Sequence, residues 1–175
     1  MTIALTARVA AYNDFAKAQD WPSLCDEALA FESKILIDLL AAWRRQAGSA
    51  IPRRSAMSAR ALKPHLGNVA IIERIARRPA RFQMRLMGTR LTQIVGDLQG
   101  RYLDEAVPSD LVVRWNAALD LTLAETRPLR FVNRVDFKGL NFLRAEILLA
   151  PLLGGDETPS MVLGGAVFTA TKRRG

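Results

Sequence analysis

The sequence holds one cysteine, one histidine and no apolar run long enough to span a bilayer, and each shortage removes a class of explanation. Cys25 has no second cysteine to bridge, so no intrachain disulfide holds the fold, in keeping with a reducing compartment such as the cytoplasm. His65 has no second histidine and no carboxylate cluster beside it, which makes it a poor metal ligand or catalytic base. A nucleophile–base–orienter set cannot be assembled from such a supply, so an enzyme is the weakest reading. No stretch reaches the roughly 20 apolar residues of a membrane helix. The opening MTIALTARVAAYND has no basic leader and is interrupted by Arg8 and Asn13, unlike a secretory signal. Cys25 is followed by Asp26 and Glu27, whose charges raise a thiol's pKa and argue against a redox or adduct-forming role.

What is present is ordinary globular material. With 175 residues, half of them hydrophobic, the chain suits one domain with an appended helix or two, and a domain of this size needs no metal or disulfide to bury a core. Lys and Arg outnumber Asp and Glu by 25 to 17. The basic residues come as scattered pairs, Arg44-Arg45, Arg53-Arg54, Arg77-Arg78 and Arg173-Arg174, without a basic helical face or interleaved aromatics. That distribution favours a solvated surface over a nucleic-acid site.

Periodicity divides the chain. Val9, Tyr12 and Phe15 mark a first helix that must end at Trp21-Pro22, since proline forces the preceding residue out of helical geometry. Ser23 then stands as the cap of a longer helix reaching Arg45, with Asp26 and Glu27 near its positive end. Leu29, Ile35, Leu36, Leu39, Leu40 and Trp43 form its apolar stripe, which must meet either the chain's own sheet or the same helix of a second copy. Residues 1–47 are thus a helical extension, and 48–175 the main domain. After a polar connector with a short helical piece, VAIIERI is a strand and Arg77-Arg78-Pro79 a turn. Arg81 to Met87 is the returning strand, with Phe82, Met84 and Leu86 alternating against Arg81, Gln83 and Arg85.

Gly88-Thr89 converts that strand into a short helix bearing Leu91, Ile94 and Val95, either as a tight turn capped by Thr89 or as a set of free backbone donors suited to an anion. Gly96 and Gly100 punctuate the stretch beyond this helix. A strand breaking into short, glycine-separated helices leaves a concave wall, hence a pocket. A helix from Pro108-Ser109-Asp110 to Glu125 stacks Leu111, Trp115, Leu119 and Leu123. Three strands complete the chain. In the first, Leu129, Phe131, Val135 and Phe137 oppose Arg130, Arg134 and Asp136, with Asn133 as a polar interruption on the apolar side. After a turn at Lys138-Gly139, residues 141–150 set Leu143, Ala145, Ile147 and Leu149 against Arg144 and Glu146, and MVLGGAVF is the last strand. Hairpin-length loops make the sheet mainly antiparallel and the architecture α+β.

The ordered set of Trp43, Pro52-Arg53, Pro64-His65-Leu66, FQMRLMGTRL with Arg85, Gly88 and Thr89, then Gly96, GRYLDE, Pro128 and Pro151-Leu152 resembles PAS domains. More specifically, it resembles the short single-domain PAS-like proteins common in alphaproteobacteria, over roughly residues 35–168. The resemblance implies a five-stranded antiparallel sheet with short helices enclosing a pocket on one face, behind an N-terminal helical extension. It also implies a sensory or regulatory role, homodimerisation through the leading helix from Ser23 to Arg45, and a separate signalling protein partner. No common cofactor belongs to that family, so none is implied. The candidate ligand-binding residues are Met84, Arg85, Leu91, Ile94 and Trp115, followed by Leu119, Phe131, Asn133, Ile147 and Leu163. Arg85 would clamp an anion or pair with Glu146, and the buried Asn133 amide needs a partner in ligand, backbone or water. The apolar members either line a cavity or fill it. The competing readings are a ligand-free homodimeric interaction protein and, less favoured, a basic nucleic-acid binder.

Overall fold

The computed structural model describes residues 6–135, 139–140 and 142–171. Asp136, Phe137, Lys138, Asn141 and the Arg173-Arg174 pair lie outside the described residues. The elements run α1 (Ala7–Ala18), β1 (Ser23–Asp26), α2 (Lys34–Ala47), α3 (Ala59–Leu62), β2 (Val69–Ile75), β3 (Arg81–Met87), α4 (Thr89–Val95), α5 (Leu103–Ala106), α6 (Ser109–Glu125), β4 (Leu129–Arg134), β5 (Leu143–Leu153) and β6 (Pro159–Ala170). The strands form one antiparallel sheet in the order β1-β4-β5-β6-β2-β3.

The sheet has six strands where the sequence led to five. The extra one, β1, occupies residues expected to begin the long helix. The sequence S-L-C-D is too short to show alternation by itself, and its pairing with β4, Ser23 opposite Asn133 and Cys25 opposite Phe131, supplies the order that local propensity does not. The helix begins later, at Lys34. Cys25 therefore sits on a strand, and Asn13 of α1 closes that strand's outer edge. Its side chain donates to the Cys25 carbonyl at 3.0 Å and accepts from the Cys25 amide at 2.8 Å, doing what a neighbouring strand would do. In α1 the buried face is Val9, Tyr12 and Ala16, whereas Phe15 faces outward against Trp21.

Helices cover both faces of the sheet, so the fold has three layers rather than two. On one side Leu36, Leu39, Leu40 and Trp43 of α2 pack with Ile71, Leu148, Leu152 and Leu163, and the Trp43 indole donates to the Pro151 carbonyl at 2.9 Å. The apolar stripe of α2 is thus used on the chain's own sheet. Gly165 permits the approach: a Cβ there would lie 2.8 Å from Leu39 Cδ1. On the other side α1, α4, α5 and α6 enclose Phe131, Met84, Ile72, Leu119 and Leu103.

The alternation of β3 is broken once. Ile71 stands opposite Leu86 and Ile72 opposite Met84, leaving Arg85 as the unmatched residue of a bulge. Phe82 and Met84 face the layer formed by α4 to α6, but Leu86 crosses to the α2 side. Directly after it, Gly88 caps α4 with backbone only. A Cβ at Gly88 would overlap the Leu66 carbonyl oxygen, so glycine is there for contact, and Thr89 is the first helical residue rather than the cap.

Candidate functional site: an apolar cavity with one polar end

Between the sheet and the helices α1, α4, α5 and α6 lies a cavity of about 200 Å³. It exists because the side chains contributed by the sheet taper: Gly164, Ala145, Ala166 and Ala70 form part of the floor, where larger residues would fill the space. Met84, Leu91, Ile94, Trp115, Leu119, Phe131, Asn133 and Ile147 all line it. Two members of the expected set do not. Leu163 is fully buried on the α2 face, because its register opposite Ile71 and Ala150 turns it away. Arg85 leaves at the bulge and is half exposed, with Nε 3.2 Å from Glu73 and Nη1 donating to Gln83 at 3.0 Å. It pairs neither with Glu146 nor with anything in the cavity.

Asn133 is the distinctive polar group. It projects beside Phe131 from the cavity face of β4, and its Oδ1 is buried without a hydrogen bond from any described residue. An unpaired buried acceptor costs roughly 1–3 kcal/mol, so this oxygen favours anything that brings a donor into the cavity. Polar lining residues that escaped the sequence reading include Tyr12, Ser23 and Arg114. Ser23 stands directly opposite Asn133 across the β1–β4 pair, and its hydroxyl is 2.8 Å from that of Tyr12. Burial raises the Tyr12 phenol pKa against the hydrogen bond to Ser23 and the nearby Arg114 charge, so it stays protonated and can donate. Once Ser23 is taken for a helix cap, nothing in the linear sequence brings it near Asn133. The spacing of Tyr12 after Val9 was the only available signal.

Elsewhere several polar residues have structural partners, although Glu27 Oε1 and Asn116 Oδ1 are also buried without a hydrogen bond from any described residue. Arg130 and Glu146, expected on the outward face, are buried there as a pair. His65 meets Asp38 of α2 at 3.3 Å, away from the cavity. The Cys25 pKa is pushed up to about 12, chiefly by burial, with Asp26 and Glu27 adding to it. Among the described residues no group of histidine, cysteine and carboxylate side chains could hold a metal ion, and no helix is long and apolar enough to cross a membrane. Of the arginine pairs noted in the sequence, Arg53 meets Glu157, and outside those pairs Arg74, Arg81 and Arg144 are tied to Asp120, Asp104 and Glu32.

Comparison with known proteins agrees with this architecture. The family model of the PAS domain matches residues 31–167. The chain belongs to the PAS domain family. Strands β2 to β6 of its PAS sheet begin within the matched segment, whereas α1 and β1 precede it. Among solved structures, that of an RsLOV variant aligns at 14% identity and a TM-score of 0.40, covering 82% of this chain and 73% of that one. The structure of an RNA-binding Light-Oxygen-Voltage receptor aligns at 16% identity and a TM-score of 0.40, over 68% of this chain and 36% of the receptor. This PAS chain therefore spans little more than a third of that receptor's length. Comparison with the curated proteins finds no match.

Proposed function

We propose that this PAS domain is a sensory module that holds a small apolar or amphipathic ligand in the cavity and passes its occupancy to a separate signalling protein. The observation that carries this reading is the buried Asn133 Oδ1, which receives no hydrogen bond from any described residue in the wall of a mainly apolar cavity. A core built only for stability would have an apolar side chain there, or would supply the oxygen with a partner. Among the described residues the lining contains no histidine, cysteine or carboxylate, which favours binding over catalysis. Self-association through residues 23–45 has less support than the sequence suggested, because α2 spends its apolar stripe on the sheet; Leu24 and Ile37 are the large apolar side chains that segment leaves exposed.

The test is native mass spectrometry of the purified protein, with solvent extraction and thermal-shift screening of the delipidated form. Gly164→Val serves as the plugged control. A Cβ at Gly164 would meet Ile72 and Ala70 at ordinary contact distances of 3.5 and 3.6 Å, so the added bulk enters the cavity without a backbone clash. Expected is a bound species, or a stabilising compound, that the wild type takes and Gly164→Val does not. An empty wild type that no compound stabilises would defeat the reading.

A further inference from the structure

The hydrogen-bonding pattern at one end of the cavity specifies a ligand class. Ser23 of β1 and Asn133 of β4 stand opposite each other at one side of the sheet, and the Tyr12 hydroxyl of α1 meets that of Ser23 at 2.8 Å. Toward β2 and β3, at the opposite side, the lining is Ile72, Met84, Leu91 and Leu98, with no polar side chain among them. An occupant meets hydrogen-bonding groups at one end and only apolar surface at the other.

At the polar end an acceptor and a donor are both left over. Asn133 Oδ1 is buried and receives no hydrogen bond from any described residue, and an amide oxygen can only accept. In the Tyr12–Ser23 bond one hydroxyl gives its proton to the other, so the second hydroxyl keeps a proton to give. A hydroxyl group brought between them answers both, because it donates through its proton and accepts on its oxygen. Water can do the same, but a hydroxyl on an apolar body also covers the lining that water would leave wet. Charge of either sign is disfavoured. Among the described residues no carboxylate lines the cavity to receive a cation. Of the arginines there, Arg114 is engaged within the chain, with Asp110 3.9 Å away among its contacts, and Arg134 is exposed to water. A charge taken into an apolar cavity without a partner of its own carries a large desolvation cost. Size sets the remainder. The cavity of about 200 Å³ exceeds the roughly 150 Å³ apolar cavity that takes benzene in another protein, so one substituted ring fits.

We propose that the cavity takes a small neutral molecule with an apolar, ring-sized body and one hydroxyl, such as a simple phenol or alcohol. The hydroxyl donates to Asn133 Oδ1 and accepts from the Tyr12–Ser23 pair, and the body lies toward Leu91 and Leu98. Arg114 has no part in the binding. This rests on the proposal that the cavity holds a ligand at all, and the experiment separates the two.

Delipidated protein is titrated calorimetrically with p-cresol, anisole and benzoate. The first two are isomers of similar bulk, and only p-cresol has a proton to donate; benzoate carries the charge. Expected is binding of p-cresol about tenfold tighter than anisole, the worth of one hydrogen bond to an otherwise unpaired buried acceptor, with benzoate weaker than either. Asn133→Leu should erase the advantage of p-cresol while anisole still binds, and Gly164→Val should abolish binding of both. Melting curves confirm that each variant folds, and the wild-type ranking decides the class should Asn133→Leu not fold. Anisole binding as tightly as p-cresol in the wild type, or p-cresol keeping its advantage in Asn133→Leu, would overturn the hydroxyl class while leaving a ligand cavity. Benzoate binding as tightly as p-cresol would overturn neutrality. Binding that persists in Gly164→Val would place it outside the cavity and overturn the assignment. If none of the three binds, the class falls, and the cavity reading falls with it only when the thermal-shift screen is empty as well.

Discussion

Arg130 and Glu146, on neighbouring strands, meet at 2.8 Å behind the 27–33 loop, where neither side chain is more than 9% exposed. Glu146 does more than neutralise Arg130. Its two oxygens accept from the backbone amides of Glu32 and Ser33, both at 2.9 Å, and so anchor the residues leading into α2. Removing one member of such a pair leaves a buried charge uncompensated, which costs about 3–5 kcal/mol. Arg130→Met should therefore unfold at markedly lower urea concentration than the wild type. The Arg130→Met, Glu146→Leu double variant should recover only part of the loss, because the Glu32 and Ser33 amides then lack their acceptor. Full recovery would show that the charge pair alone matters.

Acid should loosen the N-terminal segment. Glu125 is largely buried at the end of α6, which alone would raise its pKa. Hydrogen bonds from Arg127 and Thr6, with Arg8 nearby, outweigh burial and hold it below the ordinary glutamate value. A carboxyl whose folded pKa is lowered contributes stability in full above its unfolded pKa and loses it as pH falls through the folded value. Glu125→Gln should thus melt below wild type at pH 7, with the gap narrowing below about pH 4, near the unfolded glutamate pKa. A constant gap across that range would exclude this linkage.

Gly88→Ala tests the contact between α4 and the turn before β2. The added methyl would overlap the Leu66 and Gly67 carbonyl oxygens, both backbone atoms. Overpacking of this kind costs up to about 3 kcal/mol, so the variant should show that loss in chemical denaturation. A loss below about 0.5 kcal/mol, the range of ordinary surface changes, would place the contact elsewhere.

Cys25 reports on the closure of β1 by α1. The thiol is 2% exposed and its pKa is pushed up to about 12, so little thiolate forms near neutrality. Labelling by a disulfide reagent at pH 8 should be slow in the native protein and complete in denaturant. Asn13→Ala, which removes both hydrogen bonds to the Cys25 backbone, should speed native labelling severalfold. Equal rates would mean that α1 does not govern access.

These sites also show what the sequence could reveal. An apolar run bounded by turn signals located β2, and alternation located β3, β4 and β5 and placed Asn133 on the apolar face, because successive side chains of a strand point to opposite faces. Both signals failed where partners distant in sequence decide: β1 exists through pairing with β4, and Leu86 changes sides because a bulge inserts Arg85. The taper of the cavity and the meeting of Tyr12, Ser23 and Asn133 depend on the same distant neighbours. Local periodicity has no term for them.

The position of α1 and β1 ahead of the matched PAS segment has a further consequence. Tyr12 and Ser23 come from that leading stretch, whereas Ile72, Met84, Leu91 and Leu98 come from the segment the family model covers. The two halves of the cavity can therefore diverge separately. A chain that kept residues 31–167 but carried a different leading stretch would retain the greasy compartment together with Asn133, and would exchange Tyr12 and Ser23, changing the polar end of the cavity without rebuilding the core.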